Sequence, residues 1–130
     1  MSGYVYFIQA KESRAVKIGW TKEQLRGRLS ACQTGSHEEL ELVAYFSGSM
    51  QDEKRMHDYF ASDRLRGEWF RWSDDLATMI AACREAHHLK YEHLVGLTPS
   101  DTVISVFENL KRSLSSKEAA NDTTRETGER

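Results

Sequence analysis

The sequence predicts a small α/β (α+β) protein in which a three-stranded, mostly antiparallel sheet is flanked by helices and followed by an extra C-terminal helix. Three observations point there. Two runs rich in β-branched and aromatic residues, Tyr4 to Ile8 and Val16 to Trp20, stand either side of the polar Lys11-Glu12-Ser13-Arg14, which is the pattern of a hairpin. A third such run spans Leu40 to Phe46. Between and after these runs apolar residues recur at helical spacing, and Thr21, Ser73 and Pro99-Ser100-Asp101 suit helix starts.

Taken in order, the strands are expected over residues 3 to 9, 15 to 20 and 40 to 47. Thr21 and Gln24 have the spacing of a capping box, so a helix is expected from Thr21, with Leu25, Leu29 and Cys32 on one face. Arg28 then sits on the shoulder of that face and Arg26 well away from it. Gln33-Thr34-Gly35-Ser36 reads as the stop, with Gly35 suited to a left-handed C-cap. The third run is apolar enough in its second half for a central strand, and Ser47-Gly48-Ser49 breaks it.

The next helix, about 50 to 61, has Met50, Glu53, His57 and Phe60 along its expected apolar stripe. Two ionisable groups thus occupy the middle of a face whose ends are apolar. Buried without partners they would be costly, so they either meet partners or line a cleft. A lone His there is most often a core histidine bonded to a backbone carbonyl, and a lone Glu an edge carboxylate reaching water. The two together, one turn apart, shift the balance towards a functional site.

Residues 61 to 66 read as a polar connector, and Gly67 to Trp72 as a short strand with Glu68, Phe70 and Trp72 on one face. For Glu68, a structural pairing and a site-facing role are equally open. A helix capped by Ser73 follows, carrying Leu76, Met79, Ile80, Cys83 and His87. His87, His88 and His93 lack acidic or Cys partners at ligand spacing, so they read as solvated or capping residues. A last helix has Val103, Val106, Phe107, Leu110 and Leu114 as its apolar side, and from Ser115 the composition reads as disordered. The expected divisions are a domain over 1–90, a helical extension over 91–114 and a tail over 115–130. The extension is a candidate cap, homodimer contact or partner-binding tail.

At 130 residues, 39% hydrophobic and 29% charged, the chain supplies one small core. No apolar run reaches membrane-span length and the N-terminus lacks a signal-peptide pattern, so a cytoplasmic protein without membrane contact is expected. Cys32 and Cys83 form no CxxC pair and read as reduced, buried small hydrophobes. A net charge of -2 argues against simple coating of nucleic acid. Its distribution qualifies this, since Lys11, Arg14, Lys17, Lys22, Arg26 and Arg28 face only Glu12 and Glu23 in the first 28 residues. That excess suits phosphate contact and also suits an ordinary solvated surface.

The opening strand, strand, helix unit resembles that of GIY-YIG nucleases. Tyr4-Val5-Tyr6 matches the first motif, Lys17-Ile18-Gly19 the second, and Arg28-Leu29 the helix arginine. Lys17 stands where the family usually has its other Tyr, and the Asn that often completes its site has no convincing match. A short, phage-type branch of the superfamily is more similar still, with Lys-Ile-Gly, an E-x-x-x-H helix and Gly-Glu-Trp-Phe. Here these fall at Lys17 to Gly19, Glu53 to His57 and Gly67 to Phe70, so the resemblance covers roughly residues 3 to 75.

The resemblance implies a DNA endonuclease that hydrolyses phosphodiesters with one Mg²⁺ or Mn²⁺. It implies Glu53 for the metal, Arg28 for the scissile phosphate and Tyr6 as base or positioning group for water. Tyr is a poor base unless cations lower its pKa, and Lys17, expected opposite Tyr6, is such a cation. His57 is a candidate proton donor or acceptor, Gly19 and Glu68 candidate neighbours, and Lys11, Arg14, Lys22 and Arg26 candidate DNA contacts. Two other readings stand beside it: an inactive nucleic-acid-binding module of the same fold, and a protein-interaction domain.

Overall fold

The sheet grows outward from β1 (Gly3–Ala10), whose alternating Val5/Phe7 and Tyr6/Ile8 give both of its faces something to bury. In the computed structural model, which describes residues 3–88 and 98–128, β1 pairs antiparallel with β2 (Val16–Thr21) on one side. On its other side it pairs antiparallel with β3 (Leu40–Gly48), with a register shift between Phe7 and Ile8. Two short strands, β4 (Arg64–Arg66) and β5 (Trp69–Phe70), extend the sheet beyond β2 in the order β3-β1-β2-β5-β4. The helices are α1 (Leu25–Thr34), α2 (Met50–Tyr59), α3 (Asp74–His88) and α4 (Pro99–Gly128).

The two faces are unequally covered. Val5, Phe7, Val16, Ile18, Phe46 and Phe70 meet Met56 and Phe60 of α2, residues of α3 from Leu76 to Ala86, and Val103, Ile104 and Phe107 of α4. Full burial of each large apolar side chain is worth about 1.5–3 kcal/mol, so this face carries most of the stability. On the opposite face Tyr6, Ile8, Ala10 and Leu40 are covered by Leu25, Leu29 and Cys32 of α1, none of which is fully buried. Thus α1 shields only part of that face.

The expected α/β class and the three paired strands are present, with five strands in place of three. The residues expected as a polar connector supply β4, whose side chains are all exposed. An edge strand with no buried face leaves no alternation to read, and its arginines discourage further pairing. The third strand is an edge strand and not a central one. Its outer carbonyls are occupied by α3: Arg84 donates to Val43 O through Nε (3.2 Å) and Nη2 (3.1 Å), and His87 Nε2 lies 2.7 Å from Tyr45 O. A covered edge tolerates the apolar residues of a central strand.

Other expectations need correction. Thr21 ends β2, so its hydroxyl accepts from Glu23 N at 3.0 Å and Gln24 becomes the N-cap of α1 without a side-chain bond. Pairing of Thr21 with Tyr4 holds it in the ladder and delays the helix by one turn. Gly35 has φ −96, outside the left-handed region. The capping box occurs one helix later, where Ser49 and Asp52 exchange bonds at the start of α2. Met50 is 66% exposed and Met56 fully buried, so the buried edge of α2 runs through Met56 and Phe60, with Glu53 and His57 beside it.

The last helix contributes to the main core. Val103, Ile104 and Phe107 join the main core, and Arg55 of α2 donates to Ser100 Oγ at 3.0 Å. Of the apolar side expected on this helix, Val103 and Phe107 are buried within the chain, Val106 and Leu110 are partly buried against the core, and Leu114 is 47% exposed. The α4 backbone stays helical to Gly128, past the Ser115 at which the composition reads as disordered; elongating a formed helix is far easier than nucleating one. The expected boundary at residue 90 and His93 lie outside the described residues.

Candidate active site

Tyr6 lies under the partly covered face, opposite Gly19 in the β1–β2 ladder. Its ring runs across that glycine: a Cβ placed at Gly19 would lie 2.3 Å from both Cζ and the hydroxyl oxygen of Tyr6. Gly19 is therefore required for space and not for backbone freedom. The phenol oxygen accepts a hydrogen bond from Arg28 Nε at 2.9 Å, which joins α1 to the sheet. Burial pushes the Tyr6 pKa above its ordinary value; the Arg28 bond and charge oppose this, while Cys32 and Glu68 add to it. Arg28 is raised in turn, chiefly by its bond to Tyr6.

Lys17 lies across from Ile8 and not from Tyr6, on the same sheet face and diagonally adjacent to it. Its ammonium faces Glu68 Oε1 at 3.8 Å. The expectation that Lys17 lowers the Tyr6 pKa is not met, because the cation acting on the phenol is Arg28 and burial outweighs it. Glu68 does not share a face with Phe70 and Trp72. It sits in the turn between β4 and β5, where Gly67 takes φ +56 and strand alternation does not apply.

Glu53 faces the same neighbourhood from α2. Its carboxyl is pushed above the usual carboxylate range, first by burial and then by the charge of Glu68, while His57, Arg28 and Lys17 pull it back. These charges from α1, β2, α2 and the β4–β5 turn all act on one carboxylate. Its nearest partner is His57 Nε2 at 3.9 Å, too far for a hydrogen bond.

His57 is engaged at both nitrogens. Nε2 donates to Ile18 O at 2.9 Å, and Nδ1 accepts from Arg64 Nη2 at 2.9 Å. In that network the ring proton accepted by Ile18 O is assigned to Nε2. The bond has a structural origin: Ile18 N donates to Glu68 O, but the chain turns at Gly67, leaving the Ile18 carbonyl for His57. The geometry is that of a histidine bonded to a backbone carbonyl. Arg64 was not identified from sequence, since a charged residue in a polar stretch carries no signal of its partner.

Of the remaining basic candidates, Lys11 and Arg14 lie at one end of β1 and Lys22 at the other. Lys11 pairs with Glu39 at 3.5 Å, and Arg14, at φ 68, stacks over Trp72 at 5.1 Å; both belong to the hairpin turn. Lys22 lies at the other end of β1, lining a pocket of about 240 Å³ with Gly3, Tyr4 and Ser47. Arg26 is exposed on α1.

Among the described residues no group of three or more His, Cys, Asp or Glu side chains forms a metal cluster. The donor chemistry at Glu53 nevertheless fits a hard divalent ion, since Mg²⁺ is commonly held by one or two carboxylates with retained water. Glu53 is partly buried, accepts no hydrogen bond among the described residues, and has Glu68 as a second carboxylate within electrostatic reach. No described helix is long and apolar enough to cross a membrane.

Comparison with known proteins decides the family. The model of the T5orf172 domain matches residues 3–88. The chain belongs to the T5orf172 domain family. This family is a nuclease-associated phage domain, and membership links the chain to nuclease-related function. The matched span holds the whole sheet, α1, α2 and α3, and therefore every residue of the Tyr6–Glu53 neighbourhood. Searches of curated proteins and of solved structures returned no match.

Proposed function

We propose that this T5orf172 domain is a divalent-metal-dependent DNA endonuclease that hydrolyses phosphodiester bonds. The observation that carries the reading is that Arg28, bonded to the Tyr6 phenol, and with it Lys17 and Glu68, lie within electrostatic reach of the part-buried Glu53 carboxyl. Cations within electrostatic reach of a desolvated carboxylate suit a phosphate and its counter-ion together. Mg²⁺ or Mn²⁺ would be held by Glu53, with Glu68 within reach, and would supply Lewis-acid stabilisation of the phosphoryl oxygens. Because a ligating carboxylate must be ionised, the raised Glu53 pKa makes metal affinity fall as the solution is acidified.

Arg28 is the phosphate ligand. Its Nε is held by Tyr6, which orients the guanidinium and leaves its terminal N–H groups for two phosphate oxygens. Tyr6 acts as a neutral phenol: burial disfavours phenolate, and with its oxygen accepting from Arg28 its own proton can be donated to a phosphate oxygen or water. Lys17 balances Glu68 in the free protein and adds positive charge when a phosphate arrives. His57 is a positioning residue that ties α2, and with it Glu53, to β2.

The test is supercoiled-plasmid cleavage by the full chain with Mg²⁺, with Mn²⁺ and with EDTA, alongside gel shifts over a salt series. Cleavage in both metals and none in EDTA is expected. A second reading, DNA binding without turnover, is favoured by the raised Tyr6 pKa and the Lys17–Glu68 pair. Salt-dependent gel shifts with no cleavage in either metal would replace the first reading by this one.

A further inference from the structure

Beyond the Tyr6–Arg28 pair, the face that α1 leaves open carries two tyrosines with no assigned part. Tyr4 precedes Tyr6 by two positions on β1, and Tyr45 is the β3 partner of Tyr6 in the ladder, so all three share one sheet face. Tyr4 and Tyr45 are each 37% exposed, and their rings meet edge to face at 5.9 Å. Neither hydroxyl has a hydrogen-bond partner among the described residues. The Tyr45 ring is backed by His87 at 4.7 Å, which fixes it against the sheet edge. Lys22 and Ser47 flank Tyr4 around the pocket of about 240 Å³.

An ordinary cross-strand aromatic pair explains part of this, since such pairs stabilise a sheet. It does not explain why the pair stays open on the face that holds Tyr6, with a lysine beside it. The geometry points to a base-stacking subsite: Tyr4 and Tyr45 receive a nucleobase of the DNA strand whose phosphate lies at Tyr6 and Arg28, and Lys22 meets the adjoining phosphate. Exposed aromatic rings on a strand platform flanked by a cation suit single-stranded DNA, because every base offers a π-face whatever its sequence. The subsite rests on the nucleic-acid reading above and adds to it where the strand runs: from the Tyr6–Arg28 centre towards the Gly3 end of β1, away from the hairpin turn.

The test compares a short fluorescein-labelled oligothymidine with its fully abasic counterpart, by anisotropy, in EDTA so that no strand is cut. The full chain carries Tyr4→Leu, Tyr45→Leu or both, with Tyr45→Phe as the variant that keeps the ring; circular dichroism verifies each fold. Stacking on one base is worth roughly five- to hundredfold in affinity. The double Leu variant is therefore expected to lose that factor on oligothymidine and nothing on the abasic strand. Tyr45→Phe should retain wild-type affinity, and Lys22→Ala should lower the salt dependence on both strands by about 0.7 in log–log slope. Equal affinity of wild type and double Leu variant for oligothymidine would overturn the subsite and leave the nucleic-acid reading standing. Equal losses on both strands would also overturn it, because the tyrosines would then act on the backbone or the fold. Failure of wild type to bind either strand would remove the nucleic-acid reading, and the subsite with it.

Discussion

Gly19→Ala adds one methyl group where the Tyr6 ring crosses the backbone. The new carbon would lie 2.3 Å from Cζ and from the hydroxyl oxygen, whereas ordinary contact begins at 3.4 Å, so something must give by roughly 1 Å. Tyr6 is 1% exposed and packed among Ile8, Ala10, Leu40, Leu25 and Leu29, which leaves its ring little room to swing. Retreat by that amount takes the phenol out of reach of Arg28 Nε, now at 2.9 Å. A lost hydrogen bond to a charged group is worth about 1.5–3 kcal/mol and overpacking costs about 1–3 kcal/mol. The expected destabilisation is therefore about 2.5–6 kcal/mol in urea unfolding. Where the variant still folds, displacing Tyr6 and Arg28 by about 1 Å is expected to lower plasmid cleavage on the order of a hundredfold. The comparator is Gly27→Ala in α1, whose Cβ would meet nothing within 4 Å and which should stabilise by about 0.5–1 kcal/mol through helix propensity. A Gly19→Ala protein as stable and as active as wild type would refute the argument.

Three further outcomes follow from the charged groups. Glu53→Gln is expected to reduce metal-dependent cleavage to background while gel shifts persist. Because the Glu53 pKa is raised on folding, the folded chain binds more protons than the unfolded one between the two pKa values, and stability falls as pH rises through that window. Glu53→Gln should therefore raise stability at neutral pH, with the gain vanishing below the unfolded carboxylate range; a variant less stable than wild type at pH 7 contradicts this. Lys17→Met should lower turnover more than binding, and the loss should persist at low salt, whereas Lys11→Met, which breaks only the exposed pair with Glu39, should act weakly and disappear at low salt. Equal, salt-erasable losses would return Lys17 to the general basic field. Finally, Glu38 accepts from Ser13 N at 2.7 Å and Glu12 N at 3.1 Å, bonds that hold its pKa below the usual value. That hold on the hairpin turn is complete above the unfolded pKa and is lost as pH falls through the folded one. The Ser13 amide resonance should shift across that acid range, and Glu38→Gln should abolish the titration; an Ser13 resonance that stays still would show the bond is not made.

What could be read from the chain alone were the features written in local spacing. The hairpin, the third strand and the Ser73 cap depend on residues a few positions apart, so β-branched alternation and a serine before an acidic first turn identify them without any knowledge of neighbours, whereas the caps expected at Thr21 and Gly35 gave way to strand pairing and local geometry. The pairing of Glu53 and His57 on one helix face is equally local, and it marked α2 as the element to watch. Membership of the family rests on a match that runs across residues 3–88.

Tertiary contact decided the rest. Ladder register placed Gly19, and not Lys17, opposite Tyr6, because one strand pairs with another through backbone bonds that no single run reveals. The Gly67–Glu68 turn swung Glu68 towards Lys17, since a turn suspends the alternation on which its face had been assigned. His57 took the Ile18 carbonyl because β5 ends there, and that vacancy exists only in the assembled sheet. Burial did what sequence cannot foresee for titrating groups: it raised Tyr6 against the pull of Arg28, because the cost of desolvating phenolate is set by how the whole fold closes over the ring. Local pattern named most of the residues; long-range packing determined their partners, their charge and the face on which they meet.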